Sequence, residues 1–214
     1  MKLKETIRRI LREDLSKTSN FDTILKHFKS ITPKSYEDKI EDVFEKIKNY
    51  INEEGFNIKV LNNCETGFKG VRTKNFIIIC SPTSFNTISE FIYILFHEIQ
   101  HEIQMGKLKQ KNPMSGEIED FEELYKLYWE MEIDAHNYGM EWVKKLGNEL
   151  NLPKQHYQLS DIILNYPSMG HSIRNMMKTL HKQIQQMKRK GMEYSDIVDL
   201  PIVKKHMDKI EDLF

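Results

Sequence analysis

The feature that most constrains this chain is the stretch FIYILFHEIQHEIQMG, residues 91–106. Six apolar or aromatic residues run directly into His97, Glu98 and His101. An apolar run this short falls far below the ~20 residues of a bilayer-spanning helix, so it indicates a helix buried in a protein core. The chain must therefore form a helix with an apolar first half and a second half that carries two histidines.

On an α-helix, residues four apart lie above one another, so His97 and His101 present two imidazoles from one face to a single ion. Glu98 is offset by about 100° and can reach a water on that ion without binding the ion itself. Thr87 and Glu90 form a capping-box pattern, which predicts a helix from about Ile88 to Met105 that ends at Gly106. The motif therefore lies on a helix that is predicted independently of it.

A catalytic zinc site takes three protein ligands and keeps one position for water. The third ligand must come from another part of the chain, and the segment EMEIDAHNYGMEW offers candidate donors on a second predicted helix, residues 117–146. These donors are Glu130, Glu132, Asp134 and His136. Spacing alone leaves the choice among them open.

The two segments together resemble a known family. FHEIQHEI, followed by EIDAHNYG at residues 132–139, is similar to the gluzincin pattern HExxH followed by E-x-[ED]-A-x-x-[FY]-[AG] of ImmA/IrrE-type metallopeptidases, and more loosely to HtpX-like proteases. The resemblance spans roughly residues 57–143 and implies a zincin-like fold with Glu132 as the third zinc ligand. Ala135, one turn after Glu132, is small enough to let the second helix approach the first.

Two other assignments of the third ligand stay open. Glu130 as ligand, with Asp134 supporting it, would keep the spacing of thermolysin-like enzymes, and His136 as ligand would be similar to SprT-like proteins. Tyr166 and His171, in the predicted loop NYPSMGHS, are candidates to donate a hydrogen bond to a developing oxyanion.

The remaining patterns predict the frame around this site. SYEDKIEDVFEKIKNYINEEG has a capping-box pattern at Ser35 and Asp38 and predicts an amphipathic helix that ends at Gly55. NIKVLNNC, FKGVR and NFIIIC are typical of short strands in a small, mostly antiparallel sheet. The predicted fold class is α+β and zincin-like, with this sheet packed on the HExxH helix and the second ligand helix.

We expect a single domain, residues 1–214, in three parts. Residues 1–34 form an N-terminal helical extension, residues 35–150 the zincin-like core, and residues 151–214 a C-terminal helical extension.

The expected function is a zinc metallopeptidase that hydrolyses peptide bonds, with Zn²⁺ held by His97, His101 and Glu132 and with Glu98 as general base. The partner would be a polypeptide substrate, aligned by an exposed edge of the sheet. The alternative is an interaction or structural module, for example in a phage or regulatory complex, that binds metal without peptidase activity.

The composition indicates which partners and which cellular compartment we expect. Lys and Arg total 32 and Asp and Glu total 32, which gives no net basic charge to favour a nucleic-acid surface. The basic N-terminus lacks an export signal, so we expect a cytoplasmic protein without a membrane span. The two cysteines, Cys64 and Cys80, are expected to be reduced thiols in that compartment.

Overall fold

The computed structural model describes residues 18–19, 21–61, 69–72, 77–80, 85–108 and 118–211. Helices account for most of these residues. The described helices, numbered here in chain order, are α1 (Phe21–Ile31), α2 (Glu37–Glu54), α3 (Ile88–Leu108), α4 (Phe121–Leu150), α5 (Asp161–Leu164), α6 (Gly170–Arg189), α7 (Tyr194–Val198) and α8 (Pro201–Glu211). Three short 3₁₀ helices join them, at Lys34–Tyr36, Lys154–His156 and Tyr166–Met169.

In the described ranges, four very short strands form one sheet. They are β1 (Thr18–Ser19), β2 (Ile58–Leu61), β3 (Gly70–Arg72) and β4 (Ile77–Cys80), in the spatial order β1-β2-β4-β3. The central pair, β2 and β4, is parallel, with Val60 opposite Ile79. β1 pairs with β2, and β3 with β4, in antiparallel fashion.

The predicted zincin-like α+β fold with a mostly antiparallel sheet is therefore wrong. The described strands have two to four residues each, the sheet is built on a parallel pair, and helices supply most of the structure. The physical reason lies in β4, whose four residues are all buried. A strand covered on both faces is typical of sheets with parallel pairing, and β4 pairs in parallel with β2 while β3 pairs with its other side in antiparallel fashion.

For helix α2, the structure confirms the predicted apolar face and the predicted end but not the predicted start. The predicted amphipathic face is confirmed, because its apolar residues Ile40, Val43, Phe44, Ile47 and Ile51 are all buried. Gly55 ends the helix in the left-handed conformation, with φ of 73°. The predicted capping box is wrong: the 3₁₀ turn Lys34–Tyr36 comes first, and the helix begins at Glu37 without a side-chain cap.

The chain divides into two compact units. The first comprises Met1–Gln104 with Ala135–Asp161, and the second comprises Met105–Asp134 with Ile162–Phe214. The expectation of one domain in three parts stays a prediction. The N-terminal helical extension is described only in part: residues 21–31 are helical, and residues 1–17 and 20 lie outside the described residues.

Each unit has its own core. In the first unit, aromatic side chains pack around Phe91, whose ring stacks on that of Phe44 at a centroid distance of 5.5 Å. Strand β4 adds a run of fully buried isoleucines to this core. The core of the second unit is a cluster of Ile118, Leu124, Ile173, Met177, Leu180, Ile184, Ile197 and Val203.

The cysteine prediction is wrong for Cys80, which is disulfide-bonded. Cys64 lies outside the described residues. Among the helices of the described ranges, none combines the length and the apolar character that a bilayer crossing needs.

Candidate metal centre

Helix α3 begins where the capping pattern predicts, but the predicted end at Gly106 is wrong, because the helix continues to Leu108. The backbone N–H of Glu90 donates to Thr87 Oγ1 at 3.2 Å, and the Glu90 carboxylate accepts from the N–H of Asn86 at 3.0 Å. Thr87 Oγ1 also donates to the carbonyl of Gln158 at 2.9 Å. From this cap the apolar first half enters the core, with Phe91, Ile92, Leu95 and Phe96 fully buried. The helix is anchored by its first three turns, so its next turn is held in place.

That next turn carries the two histidines. Their Nε2 atoms face each other at 3.1 Å, and their ring planes are nearly perpendicular, at 86°. Two nitrogens bound to one tetrahedral zinc, each ~2.05 Å from it, would lie about 3.3 Å apart. His97 and His101 are thus spaced to share one ion with little movement.

Helix α4 supplies the third donor. His97, His101 and Glu132 each offer one ligand atom, and these atoms all lie within 4.8 Å of one another. Two imidazole nitrogens and one carboxylate oxygen form a donor set that suits a divalent transition metal. The three residues could therefore hold a metal ion.

The position of Glu132 follows from contacts one to three turns further along its helix. Gly139 lies against Tyr93: a Cβ built on Gly139 would come within 2.8 Å of the Tyr93 carbonyl oxygen. Beyond it, the Trp142 ring stacks on Phe96 with centroids 4.0 Å apart. Ala135 is fully buried, as its small size predicts. Small residues at 135 and 139 let the backbones of α3 and α4 approach each other. Because α4 is one continuous helix, this packing also determines where Glu132 lies.

The other two candidates for the third ligand occupy different environments. Glu130 is exposed. His136 is 5% exposed, and its Nδ1 lies 3.1 Å from the hydroxyl of Tyr93. Burial, and then the nearby His97, lower the pKa of His136 below its ordinary value. The described group of donors contains Glu132 and does not contain His136.

His101 and Glu132 each have a side-chain hydrogen-bond partner. His101 Nδ1 lies 2.9 Å from Gln104 Oε1, so an N–H on Nδ1 can donate to this amide and leave Nε2 for an ion. The hydroxyl of Tyr166 donates to Glu132 Oε2 at 2.7 Å. Such second partners fix the orientation of a ligand and tune its basicity.

Glu98 lies on the same turn as the histidines, and its side chain passes close to strand β3. A Cβ built on Gly70 of β3 would come within 3.0 Å of Glu98 Cγ and 2.6 Å of Ile94 Cγ2. Only a residue without a side chain lets β3 pass this close. Among the described strands, β3 is at an edge of the sheet, and its backbone therefore runs directly beside Glu98.

The segment NYPSMGHS was predicted to be a loop, and this is wrong. Tyr166–Met169 is a 3₁₀ helix that leads into α6, and Tyr166 is only 4% exposed. His171 is exposed, and its Nε2 lies 3.2 Å from the side-chain amide of Asn175. The sequence does not predict the hydrogen bond from Tyr166 to Glu132, because the two residues are 34 positions apart and no local pattern links them. The proline after Tyr166 indicates only that the backbone there is restricted.

No protein-family model, no curated protein and no solved structure matches this chain. The function is therefore inferred from the geometry of the site and the chemistry of its residues.

Proposed function

We propose that this chain is a zinc-dependent metallopeptidase. The observation that carries the proposal is the convergence of His97, His101 and Glu132 within 4.8 Å, with Glu98 on the same helical turn as the two histidines. This donor set is the one that catalytic zinc takes in several peptidases, and the Nε2 separation of 3.1 Å fits it. When bound there, Zn²⁺ would polarise a water and lower its pKa towards neutrality.

Residues other than the three metal ligands would transfer the proton and support the ligands. Glu98, which is half-buried and does not belong to the donor group, accepts the proton of the attacking water and passes it to the leaving amine. Gln104 Oε1 lies 2.9 Å from His101 Nδ1 and can accept its N–H, which leaves His101 Nε2 for the ion. The proton acceptor is thus separate from the ligands, as peptide hydrolysis requires.

Polypeptide is the substrate class that the surroundings of Glu98 support. β3 is an edge strand among the described strands and passes Glu98 at Gly70. An extended peptide can add to such an edge through backbone hydrogen bonds, which would bring a carbonyl beside Glu98.

The test is cleavage of a peptide library by purified protein whose zinc content is measured. Wild type is expected to contain about one zinc and to cleave, and Glu98→Gln is expected to keep the zinc and to lose about 10²–10⁴-fold in rate, since the general base is gone. A matched control is Glu102→Gln, one turn later on the same helix, which should cleave at the wild-type rate. Equal rates for Glu98→Gln and wild type would reject the mechanism.

A second function is favoured by the burial of the donors. His97 is 8% exposed and Glu132 is 9% exposed, and structural zinc sites are closed whereas catalytic ones keep an open position. On this alternative the chain is an interaction or structural module that binds metal for stability. Zinc that raises the unfolding temperature, without Glu98-dependent cleavage of any library peptide, would establish it.

A further inference from the structure

Tyr166 belongs to neither sequence motif, yet it contacts a candidate ligand. Its hydroxyl donates to Glu132 Oε2 at 2.7 Å, and the residue is 4% exposed. Its ring stacks on Trp129, with centroids 5.8 Å apart and planes 10° apart. Trp129 precedes Glu132 by three residues on α4, so the ring and the hydroxyl of Tyr166 contact the same face of that helix.

The backbone around Tyr166 is built for this contact. Tyr166 opens the 3₁₀ helix Tyr166–Met169, and Pro167 fixes the backbone of its first turn. Gly170 follows, and a Cβ there would come within 2.8 Å of Trp129 Cζ2. The start of α6 therefore lies directly against the indole, and the ring of Tyr166 stacks on the same indole. These two contacts hold the phenol beside the carboxylate.

The chemical consequence concerns the carboxylate. A hydrogen bond from a phenol to an ionised carboxylate is short and charge-assisted, and it favours one rotamer of the acid. Since the bond engages Oε2, it favours binding of an ion through the other oxygen. Partners of this kind are worth about 10–100-fold in the metal affinity of their site.

We infer that Tyr166 is the positioning residue of Glu132: its hydroxyl orients the carboxylate and thereby sets the affinity of the site for its metal ion. The inference rests on the metal-binding part of the proposed function and is independent of peptide cleavage. It concerns the hydroxyl of Tyr166, and the stacked ring serves to hold that hydroxyl in place.

The experiment measures zinc affinity of the full chain by competition with a chromophoric chelator. Tyr166→Phe removes the hydroxyl and keeps the ring on Trp129, and it is expected to bind zinc about 10–100-fold more weakly than wild type. Cobalt substitution provides a second readout, because its visible absorption spectrum reports a change in the coordination that a purely structural role would not cause.

The matched control is Tyr125→Phe. Tyr125 stacks on Trp129 as well, with centroids 6.4 Å apart, but its hydroxyl donates to the carbonyl of Gly170 at 3.4 Å. Removing that hydroxyl is expected to leave the zinc affinity at its wild-type value. Thermal unfolding of both variants without metal shows whether either has lost fold stability.

A double-mutant cycle separates positioning from general destabilisation. If Tyr166 acts through the carboxylate, Tyr166→Phe should cost little further affinity in a Glu132→Gln background, because contacting residues are not additive. A purely structural role would cost the same factor in both backgrounds.

Each outcome decides the inference. Wild-type affinity in Tyr166→Phe overturns it, and so does an equal loss in both backgrounds of the cycle. Unchanged affinity with a reduced turnover number would assign the phenol to the substrate and also overturn it. A wild type that binds no zinc removes both proposals, whereas zinc binding that depends on Tyr166 without peptide cleavage rejects the peptidase and keeps this inference.

Discussion

The turn that carries His97 and His101 and the segment that carries Glu132 differ in how their roles are encoded. The histidines lie four residues apart on one helix, so helical geometry places both on one face, and their Nε2 atoms lie 3.1 Å apart. Glu130 and Glu132 look alike in sequence, on the same acidic helix, yet one is exposed and the other is 9% exposed and bonded to Tyr166. Spacing selects the first pair of donors, and packing selects the third.

A matched pair of substitutions on α4 tests whether Glu132, and not Glu130, is the third ligand. Glu132→Gln removes a ligand charge and is expected to weaken zinc binding more than about 100-fold, because loss of a ligand exceeds the ~10–100-fold cost of losing a supporting partner. Glu130→Gln, two residues away and exposed, should bind as wild type does. Chelator competition measures both, and a larger loss in Glu130→Gln would reverse the assignment.

A second prediction concerns the approach of α4 to α3. Gly139→Ala would place a methyl group 2.8 Å from the Tyr93 backbone oxygen, which cannot move aside as a flexible side chain can. Overpacking costs about 1–3 kcal/mol and outweighs the ~1 kcal/mol that alanine gains in helix propensity. We expect a lower midpoint of urea unfolding and weaker zinc binding.

The control for Gly139→Ala is Asn137→Ala, at an exposed position of the same helix. This variant should unfold within about 0.5 kcal/mol of wild type. If Gly139→Ala is equally stable, close packing at Gly139 does not position the Glu132 segment.

The smallest expected effect tests the locally encoded start of α3. Thr87→Ala removes the acceptor for the Glu90 N–H and should lower the free energy of unfolding by about 1 kcal/mol. Thr179→Ala is the control: its exposed hydroxyl only donates back to the Asn175 carbonyl within α6, and its removal should be close to neutral. Thermal or urea unfolding measures the stability of both variants. Equal losses would show that the hydrogen bond from the Glu90 N–H to Thr87 contributes no more than an ordinary surface hydroxyl.

Much of the local structure was predictable. The periodic apolar residues of α2, the cap at Thr87 and the helical stop at Gly55 depend on neighbours within a few residues, and the structure confirms them. The sheet was not predictable, because pairing direction is a contact between distant segments and strands of two to four residues carry too few side chains to specify it. The predicted fold class was wrong for this reason, and because helices supply most of the described structure.

The candidate site divides in the same way. His97, Glu98 and His101 followed from one motif, and Glu132 followed from a resemblance that left Glu130 and His136 open. Tyr166 had no role in the predicted donor set, because its contact crosses 34 residues and arises from a 3₁₀ turn in a segment expected to be a loop.

By itself, the sequence determined a helix that is apolar for three turns and then presents two imidazoles to one side, since both properties are periodic along a single element. Tertiary structure alone decided which acid joins them. Glutamates two residues apart on one helix differ in the side of the helix from which they project. Which of them lies beside the histidines depends on two tertiary contacts: the close packing of Gly139 on Tyr93, and the hydrogen bond from Tyr166 to Glu132.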